Sequence, residues 1–351
     1  MKKIAVGNHV IRMAEMDDIP FIMDFFDKYW EKGCLISRDR AYFEYEHVVD
    51  GRVNFVVAAH KETGSIDAVQ GLIQCSKKNP HDAFGVLWVC KPKSGTKFLG
   101  VALDEHNVEV SGIRGKLVGV GIRAETGVEV LKTFYGIRHT KMNHYYRLAK
   151  RDVFSIAVVT APRRVPGTTS EKKLIPIPTM QHLLDWFDLS TLQDVPMYKD
   201  AWYIEHRYFN HPYYRFNIWG IEESPSYVTG LLVGRIVCCK NSSALRIMDF
   251  FGPDNALDGI GSELDLIMDA GNIEYTDFYC TEIAHEHLEN AGFVLRNDSD
   301  PNIIPNHFEP FEQKNVDIFC SPYGFRLFKG DADQGRPKRL RLPAEWNFQG
   351  K

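Results

Sequence analysis

The chain has 351 residues, more than one hydrophobic core usually serves, so two domains are expected. Apolar residues at 44% and charged residues at 25% describe an ordinary globular protein, and a net charge of −4 argues against a dedicated nucleic-acid binder. Seven cysteines show no C-x-x-C pair and no metal-type spacing, which points to reduced, buried thiols in a cytoplasmic protein. Met1–Asn8 carries two lysines with no long apolar stretch behind them, so no signal peptide is read there. The longest apolar run, around 227–239, is broken by Gly230, Gly234 and Arg235 and is too short to span a bilayer. No membrane insertion is expected.

In chain order, Val10–Ala14 reads as a first strand. Asp17 and Asp18, with Pro20 in the first turn, open a helix that carries Ile22, Met23, Phe26 and Trp30 at helical spacing. A second short helix is expected over 41–48. Two β runs, 54–59 and 68–74, flank the polar turn Lys61–Ile66. A strand over 84–90 then leads through a basic turn containing glycine into a helix over 98–110. A strand over 116–122, a helix over 125–135 and extended segments at 145–150 and 153–159 complete the first half. Residues 161–196 are rich in proline and read as a linker with one helical segment, 182–187.

The second half repeats this grammar. Strands are expected at 216–221, 227–240 and 245–251, and a turn with Gly252, Gly259 and Gly261 leads into a helix ending near Ala270. A strand at 275–280, a helix at 283–291 and an apolar run from Gly292 follow. The order β, β, β, α, β, α, β therefore occurs twice. The expected boundaries are 8–160, the linker 161–196, a second domain 197–330, and a basic tail 331–351.

The stretch Phe84–Asp104 organises the first half. A helix start leaves backbone N–H groups unpaired, and Lys91, Lys93 and Lys97 add positive charge around this one. An anion is the natural guest, and a phosphate-bearing cofactor fits. The order of hairpin, strand, glycine turn, helix, strand and helix resembles the GNAT (Gcn5-related N-acetyltransferase) superfamily. That resemblance implies an α/β (α+β) fold of two GNAT-like domains, each a mixed, mostly antiparallel sheet flanked by helices. It implies an acetyl-CoA (or other acyl-CoA) site in the first, with Val89, Cys90, Lys97, Phe98, Leu99, Gly100 and Val101 as cofactor-binding positions. The glycines of 91–100 are five apart, a departure from the family signature Q/R-x-x-G-x-G/A. The equivalent turn at 252–261 lacks basic residues and carries Asp254 and Asp258, which would repel a pyrophosphate, so the second half is read as shaping the acceptor site. The chain also resembles uncharacterised tandem proteins from bacterial surface-polysaccharide gene clusters, through 35–39, 304–310 and 329–337. This likeness spans roughly 8–337 and implies a nucleotide-linked amino sugar as a possible acceptor.

Acyl transfer needs a polarised thioester, a deprotonated amine and a proton for the leaving thiolate. In the family a Tyr at one end of the fourth helix often supplies that proton, and Tyr135 occupies the matching place; the alternative is a Tyr packed at a helix end. Asp249 interrupts an apolar strand, which costs free energy unless the carboxylate is paired or functional. It stands beside Tyr135 as a catalytic-site candidate, more as an anchor than as the base, with pairing to Arg246 or to a buried backbone donor as the alternative. Asp39, His206, Asn306, Glu309 and Arg336 are the candidate substrate-binding residues, the prolines and aromatics of 305–311 suiting a sugar pocket. A rigid loop is the alternative there, and a solvated tail for Arg336.

Gly119, Gly121 and Ala124 mimic part of a dinucleotide fingerprint but lack the acidic residue that completes it. Glu282, His285, Glu286 and Glu289 read as a solvated helix face, so no metal is implied. The leading reading is an N-acyltransferase acting on a small-molecule amine. An aminoacyl transferase of FemABX type and a catalytically silent GNAT-like module are the alternatives, and the oligomeric state is left open.

Overall fold

The computed structural model describes residues 2–77, 82–122, 127–136, 139–239, 241–305, 312–322 and 324–333. Two sheets carry the fold. The first has eight strands in the order Lys3–Val6, His9–Met13, Phe55–His60, Ile66–Gln74, Ala83–Cys90, Leu117–Ile122, Phe319–Ser321, Thr140–Lys141. The second has seven: Lys173–Pro176, Asn217–Ser224, Tyr227–Cys239, Ser242–Phe251, Ile273–Cys280, Asn143–Leu148, Val294–Leu295. Each is antiparallel apart from one parallel pair, Ala83–Cys90 with Leu117–Ile122 in the first and Ser242–Phe251 with Ile273–Cys280 in the second. This is the duplicated mixed architecture expected from the repeat.

Helix Ile19–Tyr29, with Pro20 in its first turn, buries Ile22, Phe25 and Phe26 against the first sheet. Helix Leu99–Ser111 buries Leu99, Leu103 and Val110 against Ile11, Val56 and Leu72. In the second half helix Gly261–Ala270 buries Leu264 and Met268 against its own sheet.

The halves exchange strands. Asn143–Leu148 leaves the first half to lie between Ile273–Cys280 and Val294–Leu295, with Tyr146 opposite Asp277. Phe319–Ser321 returns from the second half and lies between Leu117–Ile122 and Thr140–Lys141. Edge strands need partners, and each half completes the other's sheet.

Three local expectations change. Lys3–Val6 is a strand that pairs with His9–Met13 across a turn at Gly7, φ 53°. The stretch 173–176, read as linker, is an edge strand on Asn217–Ser224, where Pro176 is tolerated because an edge has a side that needs no N–H. Residues 153–159 form no strand beyond the single bridge between Val158 and Ile303.

A continuous core joins the halves, with Phe84, Val118 and Met142 packed in one cluster with Tyr208, Met248 and Leu327. A buried charge cluster lies at the same interface. Glu46 accepts from Arg207 at 3.3 Å and from Tyr42 at 3.0 Å, and His211 lies 3.5 Å away. Burial opposes its charge, but His211 and Arg207 outweigh burial and hold its pKa well below the usual range.

Each half also buries a neutral histidine. His47 lies against Phe55 with ring centroids 4.5 Å apart, and His144 stacks on Tyr279 at 4.1 Å. Burial lowers both pKa values to about 4. Between pH 4 and about 6.5 the unfolded chain binds protons at these sites and the folded chain does not. Their stabilisation is therefore complete above about pH 6.5 and lost as pH falls towards 4, on the order of 3 kcal/mol for each. Melting temperatures measured from pH 7 to 4 should fall, and His47→Gln should make that fall shallower; a slope unchanged in the variant would contradict the assignment.

Candidate active site

In the first half the parallel ladder pairs Ala83 with Leu117, Phe84 with Val118 and Gly85 with Gly119, and stops. Beyond that point the strands part, so among the described residues the Leu117-facing edge of 86–90 has no ladder partner. On the other edge the register slips between Val69/Val89 and Gly71/Val86, and Leu87, at φ 52°, sits in the slip. Such a bulge re-aims the strand where it opens. An extended edge of unpaired backbone beside a widening gap can hold a ligand by main-chain hydrogen bonds.

The strand runs into the turn 91–98, which is tied down by a chain of side chains. Lys91 donates to Asp67 at 3.0 Å, His9 lies 3.0 Å from the other Asp67 oxygen, and the second His9 nitrogen is 2.9 Å from the Thr96 hydroxyl. Burial works against the Asp67 charge, but His9 and Lys91 outweigh it and its pKa is lowered. Lys91 is thus engaged within the protein. Helix Leu99–Ser111 starts from Phe98 in the left-handed region, φ 56°, with no side-chain cap. Gly100 makes the close approach to the strand possible: a Cβ there would lie 3.2 Å from Cys90 Cβ, and the Trp88 indole donates to its carbonyl at 3.0 Å. Gly95, φ 83°, has open space where a Cβ would be. An uncapped helix start, a glycine open to its surroundings and a parted strand pair fit the diphosphate and thioester arm of an acyl-CoA.

Phe98 is 64% exposed and Phe134 is 40% exposed, yet their ring centroids are 4.8 Å apart. The helical turn Leu131–Tyr135 therefore lies beside the mouth of the turn 91–98. The structure brings Cys90 against Gly100 and Phe98 beside Phe134, the residue before Tyr135. The Cys90 thiol is pushed up by burial, so it is neutral.

The other predicted residues lie elsewhere. Asp39 caps helix Arg40–His47 through Tyr42 N at 2.9 Å and accepts from the Tyr213 hydroxyl. His206 stacks on Tyr45 at 4.0 Å and hydrogen-bonds to the Tyr45 carbonyl at 3.0 Å. Both residues latch the two halves together. Asp249 is fully buried and pairs with Lys199 at 2.6 Å, not with Arg246. It also accepts from Tyr208 and from Phe250 N. Asn306, Glu309 and Arg336 lie outside the described residues.

The counterpart in the second half is built differently. Its parallel ladder runs from Ser243/Ile273 to Ile247/Phe278 before the strands part. The opening is occupied by the chain's own segment 325–333. Phe328 bridges to Cys280 and stacks on Phe278, and Gly330 passes so close that a Cβ would lie 2.5 Å from the Met248 carbonyl. Lys199 bridges Asp249 and Asp331, at 2.6 and 2.7 Å. Burial disfavours the charge on Lys199, but the two carboxylates outweigh it and hold its pKa well above normal. In the turn, Asp254 binds Arg326 and the Ala284 N–H, while Asp258 binds His287 and Asn290.

Two splayed parallel pairs, each followed by a turn and a helix, find counterparts among solved structures. The chain superposes on a GCN5-related N-acetyltransferase of Anabaena variabilis with a TM-score of 0.53 and 11% identity, over 88% of this chain and 71% of that one. It superposes on a conserved protein of unknown function, a probable N-acyltransferase, of Enterococcus faecalis with a TM-score of 0.52 and 9% identity, over 95% of this chain and 74% of that one. The fold is GNAT-like. No family model and no curated protein matches the sequence.

Within this GNAT fold, sequence reasoning missed the plug and the lysine that fastens it. Lys199 lies in an irregular stretch with no pattern to mark it as buried. Gly330, in the run 329–333, offered the one signal, a glycine between charged residues that end up buried. Removing Lys199 strands two buried carboxylates, so Lys199→Ala should destabilise the fold by about 3–5 kcal/mol. Urea unfolding checks this; a loss below about 1 kcal/mol would show the network to be solvated and unimportant.

Proposed function

We propose that the protein is an acyl-CoA-dependent N-acyltransferase whose cofactor site is the first-half strand, turn and helix, 86–104. One observation carries this reading: the first half keeps a parted strand edge leading into an uncapped helix start, whereas the second half fills its equivalent opening with its own chain. Backbone N–H groups of 97–101, with the charge of Lys97, would hold the diphosphate. Backbone groups of Val89 and Cys90 would orient the thioester carbonyl and stabilise the negative charge that develops on its oxygen.

Bound acyl-CoA would supply an acyl group activated as a thioester. Tyr135 is the proposed proton donor to the departing sulfur, from its phenolic oxygen. Asp67 is engaged by Lys91 and His9, and Asp249 acts at a distance as the anchor of the plug. The amine is proposed to lose its proton through water. We take the acceptor to be a small-molecule amine, with a nucleotide-linked amino sugar as the specific case and a cytoplasmic site of action. Asn306, Glu309 and Arg336 are its proposed contacts, and acetyl is the proposed acyl group.

Isothermal titration with acetyl-CoA tests the cofactor site. Binding is expected, and Lys97→Ala combined with Gly100→Trp should weaken it at least about tenfold, or about 1.4 kcal/mol. The tryptophan would force the helix start away from Cys90, and circular dichroism checks that the variant stays folded. Absence of binding, for acetyl-CoA and for longer acyl-CoAs, would overturn the reading.

A further inference from the structure

A cavity of about 380 Å³ lies between the segment 163–170, the start of helix Gly261–Ala270 and the end of strand Asn143–Leu148. It is separate from the first-half turn and has no part in the proposed chemistry. Four cations line it: Arg147, Lys150, Arg163 and Arg164. One carboxylate, Asp265, faces them.

That carboxylate is already taken. Arg147 binds both of its oxygens, at 2.8 and 2.9 Å, and also donates to the Gly292 carbonyl at 2.9 Å, so its guanidinium is a fixed structural strut. Lys150 approaches Asp265 at 3.3 Å with a side chain 71% exposed, so its pairing is largely screened by solvent. Arg163 has a partner outside the lining, Asp300 at 3.2 Å, and is 44% exposed. Arg164 is held by the carbonyls of Ala149 and Arg151, at 3.0 and 3.4 Å, and meets no carboxylate among the described residues. Carbonyl oxygens position a guanidinium without cancelling its charge.

A second observation has the same sign. Helix Gly261–Ala270 has ten residues, and Ile260 at its N-cap offers no side-chain acceptor. Ser262, in its first turn, lines the cavity, and the Glu263 carboxylate of the same turn is engaged by Lys173 and Leu174 N, so the helix start adds to the cations only in part. Thr168 and Thr169 also line the cavity, the Thr168 hydroxyl donating to the Asn290 carbonyl at 3.2 Å. The turn 252–261 carries no lysine or arginine of its own. The segment 163–170, the strand 143–148 and Lys150 just beyond it bring the cations to the helix start instead.

We propose that this cavity binds the phosphate groups of a small phosphorylated molecule carrying at least two negative charges. Arginine and lysine arranged around a helix start are the usual donors to such groups, and the volume suits a small metabolite. Lys150, whose contact with Asp265 is exposed, and Arg164, which meets no carboxylate among the described residues, are the ones that reach the ligand, while Arg147 holds the wall.

The test uses inorganic pyrophosphate as the probe, titrated calorimetrically at low salt into the full chain carrying Lys97→Ala and Gly100→Trp, so that the first-half turn does not compete. One molecule should bind per chain. Adding Lys150→Glu should weaken it at least tenfold, and Arg164→Gln should do so independently. Lys150→Glu leaves the two Arg147 bonds to Asp265 in place, so its melting temperature should match that of the parent. Acetyl-CoA titrated into the otherwise unmodified Lys150→Glu chain should bind as it does to the unmodified protein. No pyrophosphate heat in the parent variant, or equal affinity with and without Lys150→Glu, would overturn the proposal, and neither result bears on the acyl-CoA site.

Discussion

In each half two parallel strands part after a short ladder, and the backbone they expose must be satisfied by something other than a strand. The second half solves this internally. Segment 325–333 enters the opening, donates from Leu327 N to the Thr281 hydroxyl and accepts from Thr281 N at the Leu327 carbonyl, and is fastened by the Lys199 bridge between Asp249 and Asp331. The first half has its opening beside an uncapped helix start and a glycine with room to spare. The same topology thus yields one closed cleft and one that suits a ligand.

Closing the second cleft has consequences for the first. Ala332 packs within 3.1 Å of where a Cβ on Gly121 would lie, so the plug also braces the strand Leu117–Ile122 that forms the far side of the first opening. Strand exchange adds to this, since Phe319–Ser321 pairs with the same strand. The Glu46 cluster and the stacked Tyr45, His206 and Trp202 rings hold the halves together at another point. Loss of the plug would therefore be felt at the proposed cofactor site, although no plug residue lies in it.

Much of the fold was legible because periodicity and turn chemistry act locally. The helices at 19–29 and 99–111, and the strands at 55–60, 66–74 and 83–90, carry their signals in neighbouring residues. The duplicated order predicted the two sheets. The exchanged strands were not legible, because 143–148 reads as a strand whichever sheet receives it, and pairing is decided by contacts far along the chain. The edge strand 173–176 was hidden by proline, which suggests a linker until an edge is available to take it. For the site, the basic glycine turn was visible and its tie to Asp67 and His9 was not, since those residues meet it only through the sheet. Asp249 stood out as a charge in an apolar strand, but its partner Lys199 lies 50 residues away in an irregular segment. The latch contacts of Asp39 and His206 were not legible, because polar groups near a cleft and polar groups at a latch leave the same trace in sequence.

Hydrogen–deuterium exchange on adding acetyl-CoA addresses the asymmetry between the two clefts most directly. Amides of 86–104 should exchange more slowly in the complex, because the parted edge and the helix start gain acceptors, while those of 252–262 should be unchanged. Protection at 252–262 with none at 86–104 would contradict the account.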